Sequence, residues 1–231
     1  MKFKRLYLII ALSLCLLLFS FVSTRLTKKQ KELGVLGLAD PRSEYVLPKV
    51  HQNFITKEEA NYILEKTKND FKDSETVSGF DTKVRKSQTC WIEKTDPVVK
   101  NIIERVCEME NRPFENAEQL QVVKYEPNGF YNPHHDSCPD NNEESKKFLK
   151  SGGHRVVTML IYLSDGFEGG ATRFTNLNID HKPPKYSGIL FYPLDKEEIQ
   201  CHPKAEHGGL PVTSGEKYIA NVWIRQGEFN L

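Results

Sequence analysis

Hydrophobic and polar positions change rhythm three times along the chain. Residues 6–22 (LYLIIALSLCLLLFSFV) run for 17 positions without a charge, between basic Lys2, Lys4 and Arg5 on one side and the basic segment 25–31 on the other. At ~1.5 Å rise per residue a helix of this length sits at the short end of a bilayer span. No polar face interrupts the run, which argues against an ordinary core helix. It reads either as an uncleaved signal anchor, which its length favours, or as a cleaved signal peptide cut near the small residues Ser23 and Thr24. As an anchor it places residues 1–5 in the cytosol and the rest of the chain in a lumen. Residues 24–44 are polar and lysine-rich with little periodicity, the composition of a linker or stalk.

From residue 45 the pattern becomes helical. Thr56-Lys57-Glu58-Glu59 is a capping box, and Ala60, Ile63, Leu64, Thr67 and Phe71 follow at helical spacing. Asp96 caps a second helix with Pro97 in its first turn, and Val98, Val99, Ile102, Ile103 and Val106 form its apolar face. After Asn116 the period shortens. Segments 120–125, 155–163, 188–192 and 217–224 are rich in Val, Ile, Leu, Phe and Tyr and are separated by Gly, Pro, Asn and Asp, as strands are. Helices first and strands later predict an α+β domain, with helices covering one face of a largely antiparallel sheet or sandwich. The polar stretch between Asp136 and Gly153 predicts a long loop of the lid or binding kind.

The 231 residues suffice for one sizeable core. A net charge of +1 gives no reason to expect a nucleic-acid partner. Outside the apolar run, Cys90, Cys107, Cys138 and Cys201 show no C-x-x-C spacing, so structural zinc is not expected. In an oxidising lumen one or two disulfides are expected, and the four cysteines allow three full pairings.

Candidate chemistry begins at Tyr131-Asn132-Pro133-His134-His135-Asp136. A His and an Asp two residues apart on a strand point to one face, so His134 and Asp136 can reach one metal while His135 points away. Two imidazoles and one carboxylate suit iron(II) and leave a metal face open, and His207 in Glu206-His207-Gly208-Gly209 is the best third ligand. Ten positions on, Lys217 shares a strand face with Ile219, Asn221 and Trp223. If that face is inward, the lysine needs an anion, which a dicarboxylate cosubstrate would supply. As the first residue of a strand it fits a solvent-facing end equally well.

This ordered set, His134-x-Asp136, distal His207 and Lys217, resembles the catalytic core of the prolyl 4-hydroxylase family. The strand at 120–125, Gly153-His154-Arg155-Val156-Val157-Thr158, Tyr162-Leu163-Ser164-Asp165, Glu168-Gly169-Gly170-Ala171-Thr172-Arg173-Phe174 and the terminal strand resemble the family's motifs in the same order, over about residues 47–231. The resemblance implies a double-stranded β-helix (jelly-roll) core with the N-terminal helices packed on one sheet. It divides the chain into an anchor or signal sequence (1–23), a stalk (24–44) and a catalytic domain (45–231). It implies iron ligation by His134, Asp136 and His207, pairing of Lys217 with the distal carboxylate of 2-oxoglutarate, further cosubstrate hydrogen bonds from Tyr125 and Thr172, and a peptide groove containing Tyr131 and Arg155. Read alone, Tyr125 is equally a core residue, Thr172 a turn hydroxyl and Arg155 a solvated strand-edge charge. Trp223 reads as core, and His51, His135, His154 and His202 as ordinary surface or loop histidines.

The activity so implied is that of a procollagen-proline 4-dioxygenase-like enzyme: iron(II)- and 2-oxoglutarate-dependent hydroxylation of prolyl residues in peptides or proteins, expected at carbon 4, using O2, releasing succinate and CO2, and supported by L-ascorbate. The implied place is the endoplasmic reticulum membrane, single-pass with a lumenal catalytic domain, or the lumen or exterior after cleavage. Cys138 and the acidic, asparagine-rich residues after it depart from the family pattern and bear on peptide preference. Two alternatives accompany this reading: hydroxylation of lysyl or other side chains by the same core, and a catalytically silent, membrane-anchored peptide-binding module. Joint presence of three ligands and Lys217 argues against the second.

Overall fold

The computed structural model describes residues 38–230 except 77–78, 80 and 138–142. The chain divides into two compact units, Met1–Leu38 and Ala39–Leu231. The expected anchor at 6–22 and most of the stalk lie outside the described residues. Among the described residues no helix is long and apolar enough to cross a membrane.

In chain order the second unit runs β1 (Lys49–His51), α1 (Lys57–Thr67), β2 (Lys72–Asp73), β3 (Arg85–Lys86), β4 (Gln88–Ile92), α2 (Pro97–Met109), β5 (Leu120–Tyr125), β6 (Phe130–His134) and α3 (Glu143–Lys150). It continues through β7 (Arg155–Tyr162), β8 (Phe167–Gly169), β9 (Thr172–Phe174), β10 (Ile179–His181), β11 (Gly188–Phe191), β12 (His207–Gly209), β13 (Val212–Gly215) and β14 (Lys217–Arg225). All paired strands are antiparallel. One sheet has the order β1-β11-β7-β14-β5-β4-β2, a second the order β10-β9-β12-β6-β3, and β13 pairs with β8. This is the jelly-roll arrangement that the family resemblance implies.

Period-two alternation builds the core. Val123 and Tyr125 of β5, Leu160 and Tyr162 of β7, Ile189 and Phe191 of β11 and Ile219 of β14 project from one face of the large sheet. They meet Phe174 of β9, Phe167 of β8 and Val212 of β13. The alternate residues Val122, Met159, Ile161, Ala220 and Val222 are buried too. With both faces covered, these strands read as near-continuous apolar runs. The predicted caps form: Thr56 accepts from the Glu59 N–H while Glu59 accepts from the Thr56 N–H, and Asp96 accepts from the N–H groups of Val98 and Val99. Helix α1 contacts α2 and β4, and α2 contacts β14.

Two expectations need correction. Strands are not confined to the region after Asn116, because β1–β4 precede it and are too short to give a periodic signal. The polar stretch after Asp136 is not wholly loop, since α3 occupies Glu143–Lys150. Its apolar Phe148 covers the guanidinium of Arg225 at 4.0 Å, a tertiary contact that local polarity does not reveal.

None of the three full cysteine pairings forms, because Cys90 and Cys107 are buried free thiols. Cys201 is disulfide-bonded. A prediction follows for thiol labelling: Cys90 and Cys107 take an alkylating reagent only once the protein is denatured, and Cys201 only after reduction as well. Peptide mapping checks this, and labelling of Cys201 without reductant would contradict it.

Candidate active site

A cavity of about 650 Å³ opens between the two large sheets. Strand β6 delivers His134 at its end, Asp136 follows two residues later, and β12 brings His207 alongside through the register pair His207–His134. Gly208 permits this approach, since a Cβ there would lie 2.8 Å from the Tyr131 carbonyl oxygen. One ligand atom from each of His134, Asp136 and His207 lies within 4.8 Å of the others. Asp136 Oδ1 is 3.6 Å from His134 Nε2 and 3.8 Å from His207 Nε2. Two metal–ligand bonds of ~2.1 Å at one ion span at most about 4.2 Å, so both pairs fit a shared divalent ion.

Hydrogen bonding fixes the tautomers. His134 Nδ1 lies 2.9 Å from the Asn132 carbonyl oxygen and His207 Nδ1 lies 3.0 Å from that of Ala205. A carbonyl oxygen only accepts, so each Nδ1 carries the hydrogen and each Nε2 presents a lone pair to the centre. Burial pushes the His207 imidazole down to about 4, so it is neutral and ready to ligate at neutral pH. Burial alone would raise the Asp136 carboxyl, but in the acid range where it titrates the protonated His207, with His134 and Arg155 beside it, outweighs burial and holds the group below the usual carboxylate range. The donor set is thus two imidazoles and one carboxylate, open on the cavity side, and it fits iron(II).

Lys217 resolves the ambiguity left by its position at the start of β14. It is 1% exposed and lines the cavity together with Ile219, Asn221 and Trp223. Its Nζ lies 5.1 Å from the Tyr125 ring centre and 5.2 Å from that of Tyr162, and no ion pair or hydrogen bond reaches it among the described residues. Burial, with a smaller contribution from Lys182, lowers its ammonium to about 7. A buried cation without an acid is costly and is suited to receive an anion. Tyr125 and Thr172 line the same cavity, and the Thr172 hydroxyl is 2.8 Å from that of Tyr162.

Tyr131 and Arg155 line the cavity as well. Tyr131 stacks on the His134 ring at 3.6 Å, with the Arg85 guanidinium 4.6 Å from its ring centre on β3. Arg155 is not a solvated edge charge. Its Nε and Nη2 bond both oxygens of Glu118 at 2.6 and 2.8 Å, Nη1 donates to the Asp136 carbonyl, and its guanidinium lies 3.5 Å from the Trp223 ring centre. Trp223 is more than core, because its indole N–H donates to Asp136 Oδ2 at 3.1 Å. Nor are all the other histidines ordinary surface residues: His202 is fully buried against Tyr45, and His135 lines the cavity.

Sequence reasoning missed Arg85, Glu118, Thr158 and Tyr162. The signal for Thr158 was present: a lone hydroxyl within the apolar run of β7 has to find a partner when buried. Glu118 precedes β5 and gives no such sign, yet it also accepts from Arg225 Nε at 2.8 Å. Burial raises its carboxyl, but Arg155 and Arg225 together lower it overall. Glu118→Ala leaves two buried guanidinium groups without their acid and should cost about 3–5 kcal/mol of stability. Urea denaturation measures this, and a loss indistinguishable from that of a surface substitution would contradict it.

Comparison with known proteins agrees with this geometry. The model of the 2OG-Fe(II) oxygenase superfamily matches residues 120–225, the stretch from β5 to the end of β14 that holds all three ligand candidates and Lys217. Fold and donor set thus define the class, a 2-oxoglutarate- and iron(II)-dependent oxygenase built on a jelly roll. A protein of Acanthamoeba polyphaga mimivirus assigned to the prolyl 4-hydroxylases is 42% identical over 209 residues, covering 90% of this chain and 85% of that protein. Prolyl 4-hydroxylase 1 of Arabidopsis thaliana is 33% identical, covering 89% of this chain and 78% of its own. The crystal structure of the viral collagen prolyl hydroxylase of Paramecium bursaria Chlorella virus-1 with 2OG superposes with a TM-score of 0.60 at 26% identity, covering 80% of this chain and 98% of that one. The chain belongs to the prolyl 4-hydroxylase family.

Proposed function

We propose that this protein hydroxylates prolyl residues of peptides or proteins at carbon 4, consuming 2-oxoglutarate and O2 and releasing succinate and CO2. The observation that carries the reading is the pairing, within one cavity, of an open two-imidazole, one-carboxylate set with a buried lysine that meets no acid among the described residues. His134, Asp136 and His207 would hold the iron. When bound, iron(II) supplies the oxidative decarboxylation of 2-oxoglutarate and the transfer of one oxygen atom to the substrate carbon. Lys217 would neutralise the far carboxylate of the cosubstrate, with the hydroxyls of Tyr125 and Thr172 completing its hydrogen bonds. Tyr131 and Arg155, which both line the cavity, would belong to the peptide groove, with the donors of Arg155 committed to Glu118 and Asp136. Ascorbate is the proposed reductant that keeps the metal ferrous. The uncharged run at 6–22 supports a single-pass anchor with the catalytic domain, about residues 45–231, in the lumen of the endoplasmic reticulum.

The test is succinate release by the purified protein with iron(II), 2-oxoglutarate and ascorbate. Addition of proline-rich peptides should stimulate it, and peptide-independent or absent release would count against the proposal.

Lys217 also gives a pH prediction. Its ammonium falls from 10.5 to about 7 in the folded, ligand-free protein. Between those values the unfolded chain binds the proton and the folded one does not, so stability rises with pH; below about 7 the full penalty is present. Bound 2-oxoglutarate would restore the charged lysine and remove this rise. Thermal melts of the metal-loaded protein at pH 7 and 9 should therefore show a stabilisation with pH that saturating cosubstrate abolishes. Equal slopes with and without cosubstrate would contradict the assignment of Lys217.

A further inference from the structure

The two oxygens of Asp136 face different partners. Oδ1 points to the Nε2 atoms of His134 and His207. Oδ2 accepts from Thr158 Oγ1 at 2.7 Å and from Trp223 Nε1 at 3.1 Å. Thr158 and Trp223 are direct cross-strand partners on β7 and β14, so sheet register, not a loop, sets both donors side by side. Thr158 is 1% and Trp223 5% exposed, so water does not compete for the carboxylate there. Trp223 is held in turn by the Arg155 guanidinium stacked against its ring.

We propose that Thr158, with Trp223, is a positioning residue that restricts Asp136 to ligation through Oδ1 alone and so sets the number of open positions at the metal. A carboxylate ligating through both oxygens, together with two imidazoles, fills four of six octahedral positions. Ligation through one oxygen fills three, and the three that remain are the number needed by a cosubstrate binding at two points and one further small reactant. Oδ2 can swing to the metal only by giving up two hydrogen bonds in a site where nothing replaces them. Outer donors of this kind orient a ligand as well as hold it.

This inference rests on the metal-binding reading above, and its test separates the two. Cobalt(II) alone serves as probe, because its visible absorption reports coordination number, and 2-oxoglutarate is then titrated into the cobalt protein. Thr158→Val removes the donor at nearly constant shape, and Thr158→Ser keeps it. Thr158→Val should shift the cobalt spectrum and weaken cobalt or 2-oxoglutarate binding by about 10–100-fold, as losses of outer hydrogen bonds to metal ligands do. Thr158→Ser should restore the wild-type spectrum and affinity, which a purely packing role for the threonine methyl would not produce. If Thr158→Val does not fold, Trp223→Phe, which removes only the second donor, carries the same expectation. Wild-type spectrum and 2-oxoglutarate affinity in the folded donor-less variant would overturn the positioning role while leaving the metal site intact. Failure of the wild-type protein to bind cobalt would overturn the metal reading and this inference together.

Discussion

Replacement of Lys217 by Met is expected to cut 2-oxoglutarate-dependent turnover by about 10²–10³-fold while making the ligand-free protein more stable. The two effects have one cause. With cosubstrate bound, Lys217 would be half of a buried ion pair, and removing one partner from such a pair costs about 3–5 kcal/mol. Without cosubstrate, the ammonium is 1% exposed, faces the Tyr125 and Tyr162 rings and meets no acid among the described residues. An apolar side chain of similar length fills the same space without that penalty and should gain about 1–4 kcal/mol, the range seen when buried charges give way to hydrophobic groups. Turnover assays at varied 2-oxoglutarate, paired with thermal melts, measure both. A variant that loses activity and stability together would mean that Lys217 serves packing instead of an anion.

The ligand candidates give the second large effect. His134→Ala, Asp136→Ala and His207→Ala should each lower turnover by on the order of 10³-fold or more, since each removes metal binding and with it several kcal/mol of barrier lowering. Their stability costs should differ. The His134 side chain is 21% exposed, and its loss leaves little unsatisfied. Asp136 is buried and accepts from Thr158 and Trp223, so its removal strands two buried donors at about 1–3 kcal/mol each. Bound iron measured beside denaturation curves resolves the pattern. Retained metal and near-normal turnover in any of the three variants would remove that residue from the ligand set.

Much of this site was legible in the chain because the chemistry demands particular residues at particular offsets. His134 and Asp136 are two apart, so any extended backbone turns them to one side. Lys217, Ile219, Asn221 and Trp223 alternate along one strand, and all four line the cavity. Helix caps at Thr56 and Asp96 were equally visible, being local hydrogen-bond patterns. What stayed hidden depends on pairings between distant segments. Glu118 meets Arg155 and Arg225 only after three separate strands have assembled. The direction in which Lys217 points follows from β14 lying between β5 and β7 in the large sheet, and the sequence alone left both directions open. The roles of Thr158 and Trp223 become visible only through cross-strand register, which no single segment encodes.

Identifying the oxidised residue tests the central claim most directly. The protein is incubated with iron(II), 2-oxoglutarate, ascorbate and a library of proline-containing peptides, and the products are sequenced by fragmentation mass spectrometry. The account predicts products heavier by one oxygen atom on proline, formed together with succinate and absent with Lys217→Met and His207→Ala. Oxygen on lysine or another side chain, or succinate formed without any modified peptide, would contradict it.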